Sequence, residues 1–139
     1  MRQPTFRRIL AREAGTGADA AAIAAAARRL SERLAQQLVP LIGDAGVAAI
    51  YTRSLHLIQR QFPGLAPVRA TDEHDGLFAC AQHFLEHQDS DVATEAAVAV
   101  LTTVGELLTS FIGEGLATRL LREAWPDDFA GDTTEETTT

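Results

Sequence analysis

The chain has 139 residues, 46% of them hydrophobic and 22% charged, which fits one folded domain and excludes a disordered chain. Its formal net charge of −7 argues against nucleic acid as the main partner. The single cysteine, Cys80, excludes an internal disulfide framework.

All 12 basic residues are arginine, asparagine is absent and alanine abounds, the composition expected of a GC-rich bacterial genome. Charge is uneven along the chain. Residues 1–12 carry arginines and no acid, whereas residues 126–139 carry acids and no base. These ends could pair with each other or with a neighbouring molecule, or stand as two solvated termini.

In chain order, Pro4 opens a short helix with Phe6, Ile9 and Leu10 on one edge, and Gly15-Thr16-Gly17 breaks it. Asp19 is placed to cap a second helix reaching Val39, in which Ile23, Ala27, Leu30, Leu34 and Leu38 recur at steps of three and four. Pro40 and Gly43 punctuate it. A third helix is expected from Asp44 to Phe62, ending at Pro63-Gly64, and a loop over Leu65–Asp75. Leu77–His87 reads as a short helix. A final helical stretch runs from Ser90 or Asp91 to Trp125, and Pro126 closes it. No segment alternates with period two, so no sheet is predicted.

Leu41-Ile42-Gly43-Asp44 and Phe111-Ile112-Gly113-Glu114 echo each other half a chain apart, and at the same offset Leu30, Leu34 and Leu38 fall on Val100, Val104 and Leu108. The pattern suggests two duplicated helix hairpins, and a true break at Gly113 would split the last stretch in two. The expected fold is an all-α, single-domain bundle of five or six helices. Residues 1–17 form a short helix and linker, 18–126 the bundle, and 127–139 an acidic, Thr-rich, disordered tail.

Ala96–Val104 is apolar or small on nearly every face, so it is either the central helix or part of a subunit interface. Gly105 would let another helix approach closely. Phe111, Leu116, Leu120, Leu121 and Trp125 form a further apolar stripe, which could be core or could dock a partner. A homodimer is expected, with Ala96, Val100, Val104, Gly105, Phe111 and Trp125 as candidate interface residues, together with a second protein partner.

Two constellations carry chemistry. Cys80, His83 and His87 share a flank of one helix, with His83 and His87 at i and i+4, a set that suits zinc, copper or iron. Asp72, Glu73 and His74 lie just upstream, and His74 could complete a transition-metal site. His56 points away from the core face of its helix, between Arg53 and Arg60 at i−3 and i+4. A reachable imidazole flanked by cations suits phosphoryl acceptance. Over Arg53-Ser54-Leu55-His56 the chain resembles the histidine phosphotransfer domains of bacterial two-component signalling. The resemblance implies a four-helix bundle with His56 as phosphoacceptor. The chain departs from that family after the histidine, where Leu57-Ile58-Gln59-Arg60-Gln61 supplies none of the family's glycine and small residues.

No catalytic residue is predicted. Gly15-Thr16-Gly17 lacks the strand and lysine of a phosphate loop, and Ser31, Ser54 and Ser90 lack the setting of a nucleophile elbow. No run reaches the roughly 18 uninterrupted apolar residues of a membrane span. Arg12, Glu13 and Asp19 interrupt any export signal built on Arg7-Arg8 and Ala20–Ala27. The leading expectation is a small cytoplasmic bacterial regulatory or protein-interaction module acting through helical surfaces. The alternatives are a metal or small-ligand sensor using Cys80, His83 and His87, and a phosphotransfer module using His56.

Overall fold

Two aspartates stand ahead of the two longest helices of the computed structural model, which describes residues 2–65 and 74–129. Asp19 is extended and accepts from the Ala22 amide at 2.9 Å, capping α2 (Ala20–Ile58). Asp89, also extended, precedes α4 (Ser90–Ile112) without a side-chain cap bond. The other helices are α1 (Gln3–Ala14), α3 (His74–Glu86) and α5 (Glu114–Ala124), with a 3-10 turn at Pro63–Leu65. Among the described residues there is no strand, and the fold is the expected all-α helical bundle. Of the expected loop, residues 66–73 lie outside the described residues, as do residues 130–139 of the tail.

α2 is continuous in name only. Gly43 sits inside it at φ 78°, ψ 169°, and Gly113 separates α4 from α5 at φ 91°, ψ 158°. Both occupy a region of backbone space that only glycine enters without strain. The break falls at Gly43 and not at Pro40, which stays inside the first arm of α2. That arm, 20–42, and α4, 90–112, are equal in length and end at the same glycine conformation. Each is preceded by a shorter helix, α1 or α3, and followed by a second rod, residues 44–58 of α2 or α5. Leu30, Leu34 and Leu38 are buried, as are their counterparts Val100, Val104 and Leu108. The chain is therefore built as two similar halves of three rods each. The stretch from Ser90 to Trp125 is two helices.

α4 is the centre of the bundle, packed by α1, α2, α3 and α5. Its buried residues lie on several faces, including Ala93, Ala96, Ala97, Val98, Val100, Leu101, Val104 and Leu108. α2 and α4 are both long and apolar enough to cross a membrane, but here they pack against each other in one core. Core helices of this composition pass the same hydropathy test.

Residues 2–14 and 126–129 are integral to the fold. Phe6, Ile9 and Leu10 of α1 are buried in the common core, so α1 is part of the bundle and not a separate linker. Residues 127–129, assigned by composition to the tail, belong to the fold. Residues 126–129 form one helical turn, and Phe129 is 2% exposed, edge-on to Phe6 with ring centroids 5.8 Å apart. Asp128 accepts from both terminal nitrogens of Arg12 and lies 3.5 Å from Arg8. Arg12 donating to it, with Arg8 adding charge, holds the Asp128 carboxyl below its usual range. Arg7 likewise forks onto Glu95 of α4, at 2.6 and 3.0 Å. The opposite-sign ends thus meet within one chain.

Candidate functional site

The histidine cluster lies at the C-terminal end of α3, where Leu77, Phe78, Ala81 and Leu85 fill the core side and leave the opposite face to solvent. The His83 and His87 rings lie against each other at a tilt of 51°, with centroids 4.5 Å apart. The His87 ring Nδ1 lies 2.8 Å from the His83 carbonyl oxygen, so the ring donates there in the tautomer that leaves Nε2 free. Glu86 joins them. One ligand atom from each of His83, Glu86 and His87 falls within 4.8 Å of the others, and all three side chains are exposed.

Cys80 is not in this group. It is half-buried. The His74 side chain, like Asp72 and Glu73, lies outside the described side chains. Glu86 is the member that sequence reasoning missed. Its signal was present, because i+3 from His83 shares that face as well as i+4 does.

His56 is exposed near the end of the second arm of α2, with Arg53 and Arg60 exposed beside it. Among the described residues neither arginine has an ion-pair partner. On the inner side of the same arm Ser54 donates to the Ile50 carbonyl at 2.9 Å, and Leu55 is fully buried. Leu57 stands out beside His56, 44% exposed, where the phosphotransfer family leaves room for a docking partner.

Of the six candidate interface residues, five are covered by the chain itself. Ala96, Val100 and Val104 face other helices of the bundle, and Trp125 packs edge-on against Phe6 at 5.7 Å. Gly105 does admit a close helix, but that helix is α1: a Cβ there would lie 3.6 Å from Phe6 and from the Arg2 stem. Phe111 alone stands in solvent, 73% exposed. Beside it lies a groove of about 330 Å³ lined by Ile42, Gly46, Ala49, Ile50, Leu108 and Ile112. Leu41, 51% exposed, stands on the other elbow. The two glycine breaks create this groove by turning each chain arm back just after an isoleucine.

A larger cleft of about 620 Å³ between α1, α4 and α5 is lined by Arg2, Thr5, Glu106, Thr109, Glu114, Thr118 and Phe129. Its cation is committed: Arg2 donates to Thr109 at 3.0 Å, Glu114 at 2.8 Å and Thr118 at 3.2 Å. That network staples the first residues to the second elbow. Comparison with protein-family models, with curated proteins and with solved structures found no match.

Proposed function

We propose that the protein is a non-catalytic cytoplasmic regulatory module of a bacterial cell that works by binding protein at the elbow groove, its first partner being a second copy of itself. The observation that carries the reading is Phe111, a 73% exposed aromatic beside an apolar groove floored by Gly46 and Ala49. Exposed aromatics next to a small-residue pocket are the usual anchors of a protein interface. In a two-fold pair each Phe111 enters the groove of the other copy, so both molecules use the same surface. α4 carries no charge from Leu107 to Ile112, and Glu114 is already held by Arg2. Docking on this stretch of α4 buries no charge of its own. A further partner would use the same groove in exchange.

The test is the mass of the untagged protein in solution by light scattering, wild type against Phe111→Asp. The wild type is expected as a dimer and Phe111→Asp as a monomer with unchanged helical circular dichroism. A monomeric wild type at high micromolar concentration, or a variant that remains dimeric, overturns the proposal.

A further inference from the structure

We infer that His83, Glu86 and His87 form a binding site for one divalent transition-metal ion of the zinc–copper class, independent of the elbow groove. Three features of the cluster support it. First, the ligand atoms already converge within 4.8 Å on one face of one helix, so no loop has to be ordered to assemble them. Second, His87 is oriented in advance. Its Nδ1–H donates to the His83 carbonyl at 2.8 Å, leaving Nε2 to the metal. A ligating histidine ordinarily gives its other ring proton to such a carbonyl, which fixes both tautomer and ring direction. Third, the cluster stands in the last turn of α3 and just beyond, at the negative end of the helix dipole, which favours a cation.

Two imidazoles and a carboxylate form a mixed nitrogen–oxygen set, which zinc and copper take readily and magnesium does not. The remaining positions on the ion stay open to water or to a ligand from another molecule, because all three residues lie on the exposed side. The site clamps His83 to His87 across one helical turn, so the ion stabilises the end of α3 on binding. Cys80 takes no part.

Calorimetric titration of the full untagged chain with zinc chloride, with magnesium chloride as control, tests the site. The expected result is one zinc per chain, no uptake of magnesium, and equal affinity in Cys80→Ser. His83→Ala and His87→Ala each lower affinity by more than ~10-fold, the smaller end of what even outer-shell partners contribute. Glu86→Gln lowers it as well. Ring-proton nuclear magnetic resonance gives a second readout, in which zinc shifts His83 and His87 and leaves His56 in place. Absence of one-to-one binding, zinc retained by the His83→Ala/His87→Ala double variant, loss in Cys80→Ser, or unchanged affinity in Glu86→Gln overturns the assignment. All three positions are exposed, so unchanged circular dichroism of each variant assigns the loss to the ligands and not to folding.

Discussion

Phe129→Ala measures how far the folded domain extends past Pro126. Phe129 is 2% exposed and closes an aromatic cluster with Phe6 and Trp125, its ring centroid 5.8 and 6.2 Å from theirs. Burying a phenylalanine side chain contributes about 1.5–3 kcal/mol. An edge-on aromatic pair adds about 1 kcal/mol. The residue lies on a single terminal turn that can relax, so the cost should fall near ~3 kcal/mol, at the low end of core Phe→Ala changes. For a domain of this size about 3–4 °C is lost per kcal/mol, giving a fall in Tm of roughly 10 °C. Thermal unfolding followed by circular dichroism at fixed protein concentration reads this directly. Truncation after Phe129 removes only the acidic, Thr-rich residues 130–139 and serves as the control, expected from their composition to leave Tm within about 2 °C. A Phe129→Ala variant that melts with the wild type would show that the terminal turn does not dock, and the domain would end at Trp125.

The remaining predictions concern the elbows and the core. Gly43→Ala should cost about 1–3 kcal/mol by backbone strain alone, since no atom lies within 4 Å of the added Cβ. Gly115→Ala, at an ordinary φ inside α5 with equally open space, should instead raise stability by about 0.4–1 kcal/mol. Urea unfolding of both compares them, and equal effects would refute the conformational account. Tyr51, the only tyrosine, is buried with its hydroxyl 3.2 Å from Ser31, and burial pushes its phenol up to about 12. Ultraviolet titration of the folded protein should therefore show no phenolate near 10. Because the folded value is the raised one, this stability is full below the ordinary value of about 10 and is lost as pH rises through about 12. A midpoint near 10 while the helices remain intact would contradict the burial of Tyr51.

Much of the fold was readable because helix periodicity and glycine punctuation are local signals. Leu30, Leu34 and Leu38 announced a core face, and the paired Ile-Gly-acid motifs announced the elbows. Pairings between distant segments were not readable. Nothing near Asp128 in sequence says that Arg12, 116 residues earlier, will cover it. The tail composition suggests disorder because Phe129 stands among acids, and its docking on Phe6, far away in sequence, is not a local signal. The candidate interface failed to separate inside from outside for a related reason. A helix apolar on all faces is compatible with burial by its own chain or by another, and here α1, α2, α3 and α5 supply the cover. At the histidines, helical spacing places His83 and His87 on one face, where their ligand atoms converge with that of Glu86. The same spacing groups Cys80 with them, but Cys80 is half-buried and lies outside the converging set.

Two matched halves in one polypeptide have a consequence for how the elbows diverge. A pair of identical half-length chains would be bound to show the same residue at both breaks, so any change at one would appear at the other. Joined in a single chain, the first break carries Leu41 and the second Phe111, and only the second is tied down by Arg2. The fused arrangement lets each elbow carry its own exposed side chain, Leu41 or Phe111, without imposing it on the other.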